Sequence, residues 1–448
     1  MHSAFVARHP IFNRRLEVVG CELLFRGHGW AEDERPESRE RATATVVLNS
    51  LTELDLARIV GHRKAWVDVS REFVLNGLAQ AIPAELSGLE ISGAEVFDEE
   101  LIEALDELKQ EGYQLALDGV DEESLPAPAL ALFDIVKLDV RALGHERLRS
   151  LVPRLREATE GRRCKVLAQG IATYEDRDLC LDAGCDLFQG RFFCRPAVAG
   201  TRSVSANRLA LLQVVSALQR SDVELSEVEQ LIARDVALSF RMLRYVNSAA
   251  LGLRGEVRSI GQALALLGLD NARRWATLSV MASVDDKPTE LTLTALTRAR
   301  FCELAGTELG PGRGSELFTL GLFSVLDALM DTTMSEATEL LPLADDIRDA
   351  LVDRSGPMGE LLQAVIAREQ GEVSGTRIPH ADEYYLRAVI WAGDAAESLF
   401  AGAPPLALAP APASVPPRAP EPASAVRPER GALARCFAAF GRLFGLAG

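Results

Sequence analysis

Up to about residue 197, short runs of β-type residues alternate with stretches of helical period. Runs at 18–25, 65–69, 89–91, 114–117, 135–138, 165–168 and 187–188 read as strands. Between them lie amphipathic segments such as 98–111, whose apolar residues at 101, 102, 105 and 108 share one helical face. Strands alternating with helices predict a parallel sheet with crossover helices. So many units in fewer than 200 residues fit a closed barrel better than an open sheet. Residues 1–198 are therefore expected to form an α/β, TIM-like barrel.

Beyond about residue 205 the strand signals vanish and the period becomes helical. Ser226 with Glu229 reads as a capping box ahead of Val228, Leu231 and Ile232. Ser259 with Gln262 reads as a second, opening a helix over Ile260, Leu264 and Leu267 that Gly268 can stop. Residues 205–400 are read as an all-α bundle, with Phe318, Phe323 and Leu326 in its core. Residues 401–428 hold 9 of the 21 prolines, the composition of an extended linker. Residues 429–448 then spell a short basic amphipathic helix with Phe437, Phe440 and Phe444 on one face. That helix suits docking on an anionic membrane surface or in a partner groove, or packing back on its own domain.

Composition narrows the function classes. A net charge of −17 is a poor footprint for binding nucleic acid. The seven cysteines are scattered, and Cys180, Cys185 and Cys194 match no zinc spacing, so buried thiols in the cytoplasm are expected. The start of the chain lacks the apolar block of a signal peptide, and the uncharged stretch 398–417 carries too many prolines to span a membrane. A cytoplasmic protein is expected, with the tail helix able to bring it to a membrane surface.

A barrel places its chemistry at the C-terminal ends of its strands. Polar residues there are Glu22 in GCELLFRG, Asp68 in WVDVS, Asp118 in LALDG, Lys137 in VKLD and Gln189 in FQGRFF. Singly, a strand-end aspartate is more often a cap or turn residue. In this order they resemble the EAL family of cyclic di-GMP phosphodiesterases, a modified TIM barrel with two metals. The opening FVARHPIFNRRLEVVGCELLFRG is more closely similar to the EAL–HDOD (YuxH-type) signalling proteins. The resemblance gives Glu22 the position of the signature glutamate and Arg26 that of an arginine contacting ligand phosphate. It gives Asp118 the place of the first of two paired aspartates, Lys137 that of a lysine positioning the attacking water, and Gln189 that of a late site glutamine. Stretches such as ARDVALSFRMLRYVNSAALGL and ELFTLGLFSVLDALM likewise resemble the HDOD domain.

Departures from the pattern shape the expected activity. Asp68 stands for the family asparagine. Gly93 stands where a metal-binding glutamate is expected after LEIS, Gly119 for the second aspartate, and Gln169 and Ala172 for two glutamates. Glycine and alanine offer no side-chain oxygen, so both metal shells read as incomplete. At most one weakly held magnesium ion on Glu22, Asp68 and Asp118 is expected. In the helical half, the lone His380 and the absence of an His-Asp pair argue against a second hydrolase site.

The expectation is a non-catalytic adaptor in cyclic di-GMP regulation, with no resident cofactor and signalling proteins as partners. Glu22, Arg26, Asp118 and Gln189 are the candidate nucleotide contacts. Asn247, Arg273 and Arg274, with the tail phenylalanines, are the candidate protein contacts; the competing readings are a helix cap for Asn247 and a solvated face for the arginines. The rival readings of the whole chain are a residual cyclic di-GMP phosphodiesterase and a scaffold that binds no nucleotide.

Overall fold

The computed structural model describes residues 4–27, 56–60, 63–120, 129–159, 164–197, 223–233, 239, 242, 243, 246, 257–281, 287–306, 313–341, 343–372 and 378–400. The chain divides into two compact units, one ending at Phe192 and the next beginning at Phe193.

The first unit is a closed barrel whose eight strands follow one another in chain order. They are β1 (Ala4–Asn13), β2 (Val18–Gly27), β3 (Lys64–Asp68), β4 (Ser87–Ser92), β5 (Gln114–Asp118), β6 (Ile135–Asp139), β7 (Lys165–Ile171) and β8 (Leu187–Gly190). The helices between strands are α1 (Leu56–Val60), α2 (Arg71–Leu75), α3 (Glu99–Gln110), α4 (Val140–Ala158) and α5 (Tyr174–Asp182). The segment expected at 98–111 is α3. Asp98 caps it by accepting the Leu101 N–H, and Leu101, Leu105 and Leu108 are its buried residues.

β1 is the strand that apolar periodicity does not mark, because Arg8, His9 and Pro10 interrupt its centre. It runs antiparallel to both β2 and β8, so the sheet is not wholly parallel. A tight turn makes this possible: Asn13 Oδ1 accepts the N–H groups of Arg15 and Glu17, and Leu16 takes a left-handed φ of 62°.

Alternation along the strands stacks the interior in layers, each drawn from alternate strands. Ile11, Trp66, Ala116 and Leu167 come from β1, β3, β5 and β7 and form an apolar floor together with Ile135 and Leu187. Trp66 fits because its neighbours are glycines. A Cβ on Gly88 would stand 2.5 Å from the indole Cζ3, and one on Gly20 would stand 2.9 Å from Nε1. One pleat towards the C-terminal mouth, β2, β4, β6 and β8 contribute Glu22, Glu90, Lys137 and Gln189. One pleat further, β1, β3, β5 and β7 contribute His9, Asp68, Asp118 and Gln169. The apolar floor thus carries two polar layers above it.

The described part of the second unit is helical: α6 (Leu225–Ala233), α7 (Ile260–Met281), α8 (Thr289–Ala305), α9 (Gly314–Phe323), α10 (Leu326–Met330), α11 (Met334–Glu339), α12 (Asp345–Val352), α13 (Gly356–Glu369) and α14 (Ala381–Phe400). The expected box at Ser226 is not made: α6 begins one residue earlier, and the Val228 N–H is taken by the Glu224 carbonyl. At α7, Ser259 does accept the Gln262 N–H, while Gln262 reaches back to the Arg258 N–H. Gly268, at φ 73°, breaks α7 into two segments without a loop.

α8 is buried almost all round, and Phe318, Phe323 and Leu326 are in the core. α9 approaches α8 so closely that a Cβ on Gly321 would meet the Arg298 carbonyl oxygen at 2.4 Å. Among the described residues, no helix is long and apolar enough to cross a membrane. Asn247, Phe437, Phe440, Phe444 and the linker lie outside the described residues.

Candidate active site

The layer from β2, β4, β6 and β8 is a connected polar cluster. Lys137 Nζ donates to Glu22 Oε2 at 2.8 Å and to Glu90 Oε2 at 2.7 Å. Gln189 Nε2 donates to the same Glu22 oxygen at 2.7 Å. Lys137 and Glu90 are 1% and 2% exposed, so this ammonium stands between two carboxylates away from solvent. In the layer above, Asp118 Oδ1 accepts from Gln169 Nε2 at 2.8 Å and from the Gly119 N–H at 2.8 Å. Asp68 pairs in register with Glu90 and is exposed at the mouth.

The structure therefore brings Glu22, Lys137 and Gln189 together, and places Asp118 one layer out with Gln169. Arg26 is in β2 opposite Phe5 of β1, but its side chain lies outside the described residues. Glu90, which sequence reasoning passed over, is at the centre. His9 is a second addition, in register with Glu22 on the adjoining strand. The signal for Glu90 was available: it is an acidic residue between Leu89 and Ile91 on a strand buried along nearly its whole length.

The charges are strongly perturbed. Burial opposes ionisation of Glu22, yet the Lys137 ammonium and its hydrogen bond, helped by His9 and Gln189, hold the pKa below the ordinary 4.5. Burial, then the charge of Glu22, push Glu90 up to about 8 against the pull of Lys137. Burial disfavours the Lys137 ammonium, but Glu90, Glu22 and Asp118 together raise its pKa above the ordinary value.

A pH effect follows. Between pH 4.5 and about 8 the folded chain keeps a proton on Glu90 that the unfolded chain releases. In EDTA, stability should fall as pH rises through that window, by on the order of a few kcal/mol. Glu90→Gln should remove this decline, so the gap between variant and parent changes with pH. Denaturant melts at pH 5 and pH 8 measure it, and a constant gap would refute the assignment.

Gly93 and Gly119 have backbone reasons to be glycine. The Gly93 N–H donates to the Asp118 carbonyl at 2.6 Å, and a Cβ there would stand 3.1 Å from that oxygen. Gly119 turns the chain at φ 69°. Among the described residues, no three His, Cys, Asp or Glu side chains converge on one point as a metal cage. The donor chemistry nevertheless suits a hard divalent cation: Glu90 Oε1 and Gln189 Oε1 are buried without a hydrogen bond, in a site with three carboxylates.

Comparison with known proteins gives two family matches in sequence order, an EAL domain over residues 68–196 and an HDOD domain over residues 209–350. The chain is 34% identical over 378 residues to cyclic di-GMP phosphodiesterase CdgJ of Vibrio cholerae, covering 84% of this chain and 87% of that protein. The chain belongs to the EAL–HDOD family. A second relative, the uncharacterized protein YuxH of Bacillus subtilis, is 26% identical over 408 residues, 86% of this chain and 97% of its own. Among solved structures, the EAL domain of Mycobacterium smegmatis DcpA matches 42% of this EAL–HDOD chain and 90% of its own, at 21% identity and a TM-score of 0.34.

The likeness to CdgJ, a protein named as a phosphodiesterase, overturns the expectation that this chain is not an enzyme. That expectation counted missing ligands at 93, 119, 169 and 172. It left out Glu90, which supplies a buried carboxylate three residues before the position held to lack one.

Proposed function

We propose that the barrel of this EAL–HDOD protein hydrolyses cyclic di-GMP, opening one phosphodiester to give the linear dinucleotide, and so acts in cyclic di-GMP signalling. The observation carrying this reading is the 34% identity to CdgJ across 84% of the chain. The polar cluster above the barrel floor supports it with groups of suitable chemistry.

Glu22 and Glu90, with the Gln189 Oε1 that has no hydrogen bond, would hold magnesium or manganese, and Asp118 in the layer above would add negative charge. A divalent ion so held supplies Lewis-acid polarisation of the phosphoryl group and a more acidic water. The chain's own residues then have distinct tasks. Lys137 balances the charge of Glu22 and, by donating to both buried glutamates, holds them in place. Gln189 fixes the Glu22 oxygen it donates to, and Gln169 does the same for Asp118. Closed apolar packing beneath the layer excludes water from below, which strengthens every charge interaction within it.

The test is hydrolysis of cyclic di-GMP by the purified full chain with Mg²⁺, with Mn²⁺ and with EDTA. Turnover that requires the cation is expected, and Glu22→Gln should lower it by about 10²–10³-fold. Absence of the linear product with either ion would overturn the proposal.

A further inference from the structure

Among the described residues of the helical unit, buried arginines meet carboxylates in three places, and in one of them two arginines share a single carboxylate. Arg298 holds Glu369 through both prongs, Nε at 2.8 Å and Nη2 at 2.7 Å. Arg368 pairs with Asp382 at 2.9 Å. In the third, Arg274 of α7 and Arg300 of α8 share a single carboxylate, Glu303, with contacts of 2.6 Å to its two oxygens.

Two guanidiniums on one glutamate leave a positive charge uncompensated. Both Nε atoms are buried without a hydrogen-bond partner. Buried donors are normally hydrogen-bonded, so a pair of them without partners calls for a functional reason. The two side chains keep a rim of exposure, 17% and 13%, so the pair is reachable from solvent. Their planes are also held in advance. Arg274 lies over the Phe318 ring at 5.0 Å and Arg300 over Trp391 at 5.6 Å, and those rings meet edge to face at 6.1 Å. Prior fixing of the guanidinium planes reduces the entropy lost on binding.

We propose that Arg274 and Arg300 form a binding site for a phosphate group on the helical unit, distinct from the barrel site. Glu303 uses one nitrogen of each guanidinium and leaves the other donors of both. A phosphate, with three or more oxygens and up to two negative charges, can accept from both arginines at once. A carboxylate has only two oxygens, and Glu303 already spends one on each arginine, so a second carboxylate offers fewer acceptors and less charge for the donors that remain than a phosphate does. Glu303 holds the arginines together in the empty state and sets the affinity by competing for them.

The experiment titrates inorganic phosphate into the full chain at constant ionic strength, following ³¹P line broadening and thermal unfolding, with chloride and acetate as parallel arms. Phosphate should broaden and should raise the melting temperature beyond chloride. Arg300→Lys keeps the charge but removes the fork, and should weaken binding about tenfold. Glu303→Gln should tighten binding, whereas a purely structural triad would only lose stability with that change. Where Arg300→Lys fails to fold, Arg274→Lys and Glu303→Gln carry the test. Equal effects of phosphate and chloride, a response to acetate as large as to phosphate, or unaltered binding in all three variants would overturn the proposal. Hydrolysis by the barrel is read separately, so failure of the reaction and failure of this site give different results.

Discussion

Lys137→Met is expected to reduce cyclic di-GMP hydrolysis by about 10³-fold and to destabilise the barrel by about 3–5 kcal/mol near neutral pH. The reason lies in what the substitution leaves behind. Methionine fills much the same volume, so packing is largely preserved. Glu22 Oε2 and Glu90 Oε2 lose their shared ammonium while remaining in a layer where Glu90 is 2% exposed. Glu22, left without a counter-charge, takes up a proton as Glu90 already does below about pH 8, which leaves the site unfit to hold a cation.

The pH dependence distinguishes this from a loss of packing. In the parent, the lowered pKa of Glu22 gives stability that is present above pH 4.5 and lost as pH falls through its folded value. In the variant both glutamates have raised values, so stability is greatest in acid and is lost as pH rises. The deficit should therefore be small near pH 4.5 and grow towards pH 8. Melts at both pH values with parallel hydrolysis assays measure it. Retention of activity within about tenfold of the parent, or a deficit independent of pH, would refute the role given to Lys137.

The barrel was legible wherever a residue's neighbours in sequence are also its neighbours in the fold. Apolar runs marked seven strands, and the α3 period was read within a residue of its ends because Asp98 caps it. β1 was not legible, since its place depends on closing the sheet against β8, a contact 174 to 178 residues away along the register pairs Asn13–Leu187 and Ile11–Gln189, rather than on local alternation.

The site shows the same division. Looking at strand ends finds Asp68 and Asp118 of the mouth layer, which close their strands, and Glu22, Lys137 and Gln189 of the layer beneath. The deeper layer comes from alternate strands one pleat lower, so on β4 and β6 its members stand two residues inside. Lys137 precedes the β6 end at Asp139, and Glu90 precedes the β4 end at Ser92. Lys137 was read as a polar residue near a strand end; Glu90, between two apolar residues, was taken as part of a strand. The glycines at 93 and 119 were read as lost ligands, although close approach to β5 and a left-handed turn explain them.

In the helical unit, core residues such as Phe318 and Phe323 were legible from spacing, but ion pairing was not. Arg274 and Arg273 read as one exposed basic patch beside Trp275. In the structure Trp275 is 2% exposed, Arg274 turns to Glu303, and Arg273 Nη2 lies 3.5 Å from the Val223 carbonyl. Which of two adjacent arginines meets an acid on another helix is decided by helix rotation, which a sequence period does not resolve to one residue.

The central ion pair of that unit should respond sharply to cutting. Arg298 is 3% exposed on α8; beyond its two bonds to Glu369 it donates to Ser324 Oγ at 3.2 Å. Arg298→Met leaves Glu369 charged in a site built around a guanidinium, and should destabilise the helical unit by about 3–5 kcal/mol. Glu369→Met alone should cost a similar amount, because Arg298 has its pKa raised by Glu369 and cannot shed its proton at neutral pH. The double variant should recover most of the loss, since methionine pairs of similar volume bring no desolvation cost. The double-mutant cycle, run by denaturant unfolding of the full chain, should therefore give a coupling larger than either single loss. Additive losses would mean that the arginine acts mainly through its packing on α9, where Gly321 lets the helices approach, and not through its charge.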